Sequence, residues 1–152
     1  MALRRIPKPD RAAEYFGEII RRIQRHATGR NPEVTQEDVY MLTIFVFSWF
    51  SALLYSMAGE KSEKDVTKFV YDASSNIIHN FKTTSERVES DIENISQSLI
   101  LHNMNYQEAS KNYYQNHWVG KGGNIDSGTF VAVASRACDQ LATALMRDGY
   151  IR

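Results

Sequence analysis

Four histidines and one cysteine are the side chains in this sequence best suited to bind a metal or to act as a base or nucleophile. The histidines, His26, His79, His102 and His117, fall in different predicted elements. None stands four residues from another histidine or a carboxylate, as in the His-Glu-x-x-His zinc motif. Cys138 lies on the apolar side of the last predicted helix, which is typical of a buried thiol. The sequence therefore predicts no metal, no cofactor and no catalytic residue.

Two further motifs could carry chemistry, and each has a simpler interpretation. Glu86, Glu89 and Glu93 form a ridge opposite an apolar stripe, which predicts a solvated helix face, with a docking surface for a basic partner as the alternative. The segment 120–123, Gly-Lys-Gly-Gly, precedes a helix as phosphate-binding loops do. It follows no strand, lacks the spacing of the P-loop motif, and places Asp126 where the anion would sit, which favours a flexible loop.

Basic residues are concentrated at the N-terminus. The first 30 residues carry eight Lys or Arg against three Asp or Glu, whereas residues 31–100 carry five against eleven. Arginines without interleaved aromatic residues are typical of contact with phosphates rather than with bases. Ion pairs with Glu14 and Glu18 at helical spacing are the alternative. The candidate polyanion-binding residues are Arg4, Arg5, Lys8, Arg11, Arg21, Arg22 and Arg25.

Aromatic residues crowd the segment before the glycine-rich loop. Tyrosine and tryptophan dominate interface hot spots, and the neighbouring glycines would let the loop adapt to a partner. The alternative is that the aromatic side chains close one end of the fold. The candidate partner-binding residues are Tyr106, Tyr113, Tyr114, Trp118 and Lys121.

The elements that must position these residues are predicted to be helices. Apolar residues recur every three or four positions, and almost no segment alternates as a strand does. The fold class is therefore all-α, a compact single-domain bundle of five or six helices. The predicted helix-start signals are Asp10, Thr35, Ser62, Thr83, Asn105, and Asp126 or Ser127, and Gly149 is predicted to end the last helix.

The second predicted helix contains an uncharged run, residues 39–57, that is long enough to cross a membrane. Its flanks are acidic or mixed rather than rich in Lys and Arg, and a weakly polar stripe follows one side. The other predicted helices each have one apolar face that needs a central apolar element to pack against. This pattern favours a buried central helix. A membrane span and an interfacial helix remain the alternatives.

A chain of 152 residues predicts one domain, here residues 10–152, preceded by a basic arm over residues 1–9. The lone cysteine indicates a reducing compartment, the cytoplasm. By elimination, the predicted function is a small non-enzymatic protein-interaction module with a protein partner, such as an inhibitor, immunity protein, adaptor or small subunit of a larger assembly. The alternatives are a nucleic-acid-associated helical subunit that uses the basic arm and first helix, and a membrane-associated protein.

Overall fold

The computed structural model describes residues 6–30, 34–118 and 123–151, and their side chains except those of 26–30 and 118. Every regular element within these ranges is helical, which confirms the predicted all-α class. The elements are α1 (Pro9–Arg30), α2 (Gln36–Met57), α3 (Glu63–Phe81), α4 (Ser85–Leu101), α5 (Tyr106–Tyr113), a π-helical turn (Tyr114–Trp118) and α6 (Ser127–Arg147).

Helix α2 is the centre of the bundle, as its uncharged sequence predicts. The other five helices surround it in the order α1, α3, α4, α5, α6, and α6 closes the ring against α1. Helices α2, α4 and α6 run in one direction and α1, α3 and α5 in the other. The contacts that define these directions join Lys8 to Asp65, Phe16 to Phe69, Tyr40 to Phe81, Tyr55 to Thr67, Glu37 to Arg87, Trp49 to Tyr106, Phe45 to Tyr113, and Arg11 to Asp148.

This position buries α2 on all sides. No side chain from residue 40 to residue 50 is more than 5% exposed. Among the described helices, α2 alone is long and apolar enough to span a membrane, with a mean hydropathy of 1.7, and 78% of that stretch is buried within the protein. The apolar run is thus the core of the bundle, and the hydrophobic effect of covering it on every side is the main stabilising contribution to the fold.

The N-terminus of α2 is held by a fully buried carboxylate, that of Asp38. Thr35 and Asp38 form the predicted capping box: the Asp38 amide donates to Thr35 Oγ1 at 3.2 Å, and the Thr35 amide donates to Asp38 Oδ2 at 2.9 Å. The same carboxylate also accepts from the amides of Asn124 and Ile125, at 2.9 and 3.3 Å. Asp38 therefore ties the segment before α6 to the start of the central helix.

Other predicted caps agree in part with the structure. Asn105 and Asp126 cap α5 and α6 through their side chains, as predicted. At the end of α6, Gly149 has a φ of +80°, its amide donates to the Met146 carbonyl, and the Tyr150 amide donates to the Leu145 carbonyl at 2.8 Å. These are the two bonds of a Schellman motif, and they turn the chain back onto the core.

Two predicted helix starts are wrong, and a third is correct in position but lacks a side-chain capping bond. Helix α1 begins at Pro9, so Asp10 lies inside the first turn; proline favours the first helical position because its missing N–H is not needed there. Ser62 precedes α3 as predicted, but with a ψ of −3° its side chain makes no capping bond. Helix α4 is capped by Thr84 rather than Thr83, because Lys82 takes a left-handed conformation and Thr83 completes the turn after α3.

Candidate binding groove

A groove lies between α1 and α3, with α2 behind it. Its volume is about 450 Å³, within the range of small-molecule binding sites. Its apolar lining comes from α1 and α3, and α2 contributes polar residues. The apolar lining consists of Ala13, Phe16, Ile20, Phe69, Ala73, Ile77 and Phe81, and the polar lining includes Arg21, Gln24, Gln36, Asn76 and Asn80.

Thr43 of the central helix lines this groove, as Gln36 does. It is 1% exposed, and its hydroxyl has no hydrogen-bond partner within the described part of the chain. A buried hydroxyl without a partner is unfavourable by about 1–3 kcal/mol relative to one that is hydrogen-bonded. By contrast, Ser48 on the same helix donates to the Ile44 carbonyl at 2.7 Å. Thr43 thus places a hydroxyl without a described hydrogen-bond partner beside the groove.

Gly17 is a position on the α1 side of the groove that has no side chain. It lies in the middle of α1 and lines the cavity, and a Cβ added at this position would meet no heavy atom within 4 Å. Its helical backbone needs no glycine, since only Gly149 among the described glycines has a positive φ. Glycine in a helix interior is unfavourable by about 0.5–1 kcal/mol relative to alanine. The absence of a side chain here therefore widens the groove at some cost in helix stability.

Three of the seven predicted polyanion-binding residues form ion pairs within the protein. Lys8 pairs with Asp65 at 3.2 Å, Arg11 pairs with Glu14 at 2.6 Å and Asp148 at 3.2 Å, and Arg22 pairs with Glu18 at 2.7 Å. The predicted helical ion pairs therefore exist. Arg4 and Arg5 lie outside the described residues. Arg21 and Arg25 are exposed, and Arg21 belongs to the groove.

Replacing Arg21, Arg22 and Arg25 together with glutamine is expected to lower the free energy of unfolding by at most about 1 kcal/mol, because exposed ion pairs contribute little. Urea denaturation of the triple variant beside the wild type measures this. A loss of several kcal/mol would contradict the exposed placement of these side chains.

The same triple variant tests the nucleic-acid alternative. If the protein binds a polyanion through this segment, retention on heparin should weaken in the variant, and its dependence on salt should become shallower. Ile6 packs in the hydrophobic core, so the arm is tested by replacing Arg4 and Arg5 with glutamine rather than by deletion. Unchanged retention in both variants would exclude the basic segment as a polyanion site.

Two similar clusters of arginine, tyrosine and aspartate join helices elsewhere. Arg87 lies 4.3 Å from the centre of the Tyr40 ring and pairs with Glu37 at 2.5 Å, while the Tyr40 hydroxyl donates to Asp91 at 2.6 Å. Burial, followed by the hydrogen bond to Asp91, raises the pKa of Tyr40 well above its ordinary value. The tyrosine therefore stays protonated at neutral pH, and the cluster connects α2 to α4.

The second cluster connects α1 to the end of α6. Arg11 lies 4.5 Å from the centre of the Tyr15 ring, and the Tyr15 hydroxyl donates to Asp148. Hydrogen bonds, first from Tyr15 and then from Arg147, lower the pKa of Asp148. Tyr15 in turn meets Tyr150 edge to face at 6.2 Å. Both clusters fix helix positions, and sequence reasoning missed them because their members are far apart along the chain.

The predicted partner-binding aromatic residues are drawn towards the core. Tyr113 is 1% exposed, beside Phe45 and Phe130. Tyr106 is half-buried, with its ring edge to face with that of Trp49 at 5.5 Å. Tyr114 is also half-buried, and its hydroxyl donates to the Ile125 carbonyl at 2.6 Å. The Trp118 side chain and Lys121 lie outside the described residues. Among the described members of this set, Tyr106 and Tyr114 are partly accessible, and the predicted contact with a partner remains a prediction.

Exposed apolar side chains occur instead at the end of the bundle where α2, α4 and α6 finish. Ile100 and Leu101, adjacent at the end of α4, are 75% and 69% exposed. Tyr55 and Met146 are exposed at the ends of α2 and α6. Sequence periodicity could not identify these residues, because an apolar residue at a helix end fits the buried stripe equally well.

The remaining candidate groups are either buried or solvated. Cys138 is fully buried, and burial raises its pKa well above that of a free thiol. Glu86, Glu89 and Glu93 are exposed, as predicted for a solvated ridge. Within residues 6–30, 34–118 and 123–151, no three His, Cys, Asp or Glu side chains lie close enough together to hold a metal ion.

The fold is a small all-α bundle around a largely buried central helix, with a groove of about 450 Å³ between α1 and α3. Comparison with known proteins found no matching family model, no matching curated protein and no matching solved structure.

Proposed function

We propose that this protein is a small non-enzymatic protein-interaction module, in the broad class of inhibitors, immunity proteins, adaptors and small subunits of assemblies. The observation that supports the proposal is the exposed aliphatic pair Ile100 and Leu101. Two adjacent exposed aliphatic side chains supply apolar contact area of the kind found at the centre of protein interfaces. The buried Cys138 thiol supports a reducing compartment, and we place the protein in the cytoplasm.

The backbone next to this pair supports a role other than packing. Asn103 and Met104 have positive φ values of 54° and 65°, so the chain turns sharply between α4 and α5, directly after the exposed pair. Met104 returns to the core, and its amide donates to the Leu99 carbonyl at 2.7 Å. The turn is thus anchored on both sides of the exposed pair. An apolar pair held in this way loses less entropy when a partner binds.

The partner's contact surface is proposed to be apolar at its centre, with the half-buried edge of Tyr106 as a second contact on this side. Tyr106 follows the turn and rests on Trp49 of the central helix, which fixes its ring. A tyrosine held in one orientation provides a large contact area at low entropic cost. Tyr106 is one of the aromatic residues that the sequence predicts for partner binding.

Replacing both Ile100 and Leu101 with serine is expected to abolish recovery of the partner while leaving the melting temperature within about 2 °C of the wild type, because neither side chain is buried. The measurement is quantitative affinity purification from the native host followed by mass spectrometry. The matched control is Tyr71→Ser, which removes a side chain that is 72% exposed on α3.

The outcomes separate clearly. A protein that is recovered with the wild type and with Tyr71→Ser but lost with the double variant is a partner of the proposed surface. If the same proteins are recovered with all three forms, the Ile100 and Leu101 surface is not the docking site. A fall in melting temperature in the double variant would show that the pair stabilises the fold instead.

A further inference from the structure

We propose that the groove between α1 and α3 binds an amphipathic helix of a protein partner, and that this helix carries two oppositely charged side chains eleven residues apart. The inference goes beyond the proposed function, because Ile100 and Leu101 do not line this groove. It rests on four features: an apolar floor between polar rims, a glycine that the fold does not require, an unpartnered hydroxyl at the bottom, and the charges of the α1 rim.

Apolar and polar residues form separate stripes along the length of the groove. The floor consists of buried or half-buried apolar side chains, four residues apart on each helix: Phe16 and Ile20 of α1, and Phe69, Ala73, Ile77 and Phe81 of α3. The rims consist of exposed polar side chains: Asp10, Arg21 and Gln24 of α1, and Asp72, Asn76 and Asn80 of α3. An apolar floor between two polar rims is complementary to one face of an amphipathic element.

A helix fits this floor better than an extended peptide does. A helix satisfies its own backbone N–H and C=O groups, whereas an extended segment needs partners for them. The apolar floor offers none, and every regular element in residues 6–30, 34–118 and 123–151 is helical, so these ranges contain no strand edge to which a peptide could add. With its side chains a helix is about 10–12 Å across. It therefore rests on the rims, and the side chains of its inner face fill the 450 Å³ of the groove.

Gly17 on the α1 side points to close approach by another backbone. The fold gives no reason for a glycine here, because among the described glycines only Gly149 has a positive φ, and a Cβ at position 17 would meet no heavy atom within 4 Å. Ala13, one turn earlier, also lines the groove and is exposed. Two small residues one turn apart let the backbone of a second helix approach α1 closely.

The bottom of the groove reaches the central helix at Thr43. This residue is 1% exposed, and its hydroxyl has no hydrogen-bond partner among the described residues. An anchor side chain of the bound helix can reach this depth, and one that ends in a hydroxyl or an amide gives Thr43 a partner. Binding of this kind would remove the unfavourable contribution of a buried, unsatisfied hydroxyl that the free protein carries.

The charges of the groove select an occupant that carries both signs. Asp72 is paired with Lys68 at 2.8 Å. Asp10 and Arg21 remain on the α1 rim, and within the described ranges neither forms an ion pair. They are eleven residues apart, which is about three turns and roughly 16 Å along the helix axis. A partner helix has the same rise per residue, so a basic and an acidic side chain eleven positions apart lie opposite Asp10 and Arg21 together.

This geometry defines a sequence pattern for the bound helix. If its two charges occupy positions 1 and 12, positions 5 and 8 lie on the same face between them, because residues three, four and seven apart share one side of a helix. Positions 5 and 8 are therefore the anchors that enter the groove. Large side chains are expected there.

The test is a display library of helical peptides, about 18 residues long so that the helix can form, in which these four positions are randomised. The library is selected on the immobilised full-length protein. Enriched peptides are expected to carry large side chains at positions 5 and 8 and opposite charges at positions 1 and 12. Failure to enrich any peptide, or enrichment of peptides without this periodicity, would overturn the proposal.

The rim contacts are tested by reversing one charge of the protein at a time. The library selected on Asp10→Lys is expected to become acidic at both positions 1 and 12, and the one selected on Arg21→Glu basic at both, whichever direction the helix runs. Each variant should bind the wild-type peptide roughly three- to tenfold more weakly. The matched control is Arg22→Glu, since Arg22 pairs with Glu18 and does not line the groove. It should still select opposite charges. The same shift in Arg22→Glu as in Arg21→Glu would indicate general electrostatic attraction and overturn the rim contacts.

Close approach to α1 is tested at Gly17 with the peptide selected on the wild type. Space at the Cβ position is open, so both Gly17→Ala and Gly17→Leu are expected to fold, which circular dichroism checks. Gly17→Ala should bind within about threefold of the wild type, and Gly17→Leu at least roughly tenfold more weakly, because its side chain occupies the space of the bound helix. If Gly17→Leu folds and binds as the wild type does, the helix is not in this groove. None of these variants alters Ile100 or Leu101, so partner recovery tests the proposed function separately.

Discussion

Replacing Phe47 with aspartate is expected to unfold the protein at room temperature. Phe47 is 0% exposed on the central helix, and its ring lies 5.5 Å from that of Phe16 and 6.1 Å from that of Phe69. The aspartate would lose these contacts and place an unpaired charge between three helices, at a cost of several kcal/mol. A domain of this size has a total stability of about 5–15 kcal/mol, so little or none would remain.

The measurement is far-ultraviolet circular dichroism with thermal melting, and two variants serve as controls. Phe47→Leu keeps an apolar side chain and is expected to cost less than about 1.5 kcal/mol. Tyr71→Asp introduces the same charge at a position that is 72% exposed and is expected to melt as the wild type does. Leu54→Asp, at a second buried position of α2, should repeat the result of Phe47→Asp. Wild-type melting temperatures in both buried variants would contradict a central α2.

The second large effect is expected for Asp38→Ala, with a loss of roughly 2–4 kcal/mol in the free energy of unfolding. The substitution removes the carboxylate half of the capping box, which accepts from the Thr35 amide, and leaves the amides of Asn124 and Ile125 without the acceptor that the structure gives them. A lost capping bond costs about 0.5–2 kcal/mol, and an unsatisfied buried donor about 1–3 kcal/mol. Asp38→Asn keeps one acceptor oxygen and should lie between the alanine variant and the wild type.

The control for this prediction is the neighbouring Glu37→Ala. Glu37 pairs with Arg87 at the surface, and its loss should cost at most about 1 kcal/mol. Amide hydrogen exchange gives a local measurement, because Ile125 should exchange much faster in Asp38→Ala than in Glu37→Ala. Equal exchange rates at Ile125 in the two variants would show that the Asp38 carboxylate does not hold this segment.

The sequence contained most of the information for the fold. The central position of α2 follows from the uncharged run, since four amphipathic helices need an apolar element to cover. Thr35, Asn105, Asp126 and Gly149 act as their types and positions predict, because caps depend on local backbone geometry. The errors at Asp10 and Thr83 amount to one or two residues. They arise where a proline or a left-handed residue moves the helix start.

The candidate sites were much less predictable. The groove lies between two helices separated by a third in sequence, so no local pattern joins Arg21 to Asn76. The sequence analysis included Arg21 in the basic cluster because of its charge alone. Only the structure shows that Arg22, and not Arg21, pairs with Glu18. Asp38 was predicted as part of a cap, but its bonds to residues 124 and 125 depend on tertiary contact. Hydrophobic periodicity describes local structure and does not show which distant segments of the chain come into contact.

The enclosure of α2 also has a consequence during protein synthesis. This helix emerges from the ribosome before α3, α4, α5 and α6, which form most of the ring that covers it. Until α6 is complete, the 22-residue helix α2 is only partly covered by the other helices. The nascent chain therefore passes through an interval in which chaperones and membrane-targeting factors can recognise the same residues that later form the core. Rapid translation of the second half of the chain would shorten that interval, and a pause after residue 57 would lengthen it.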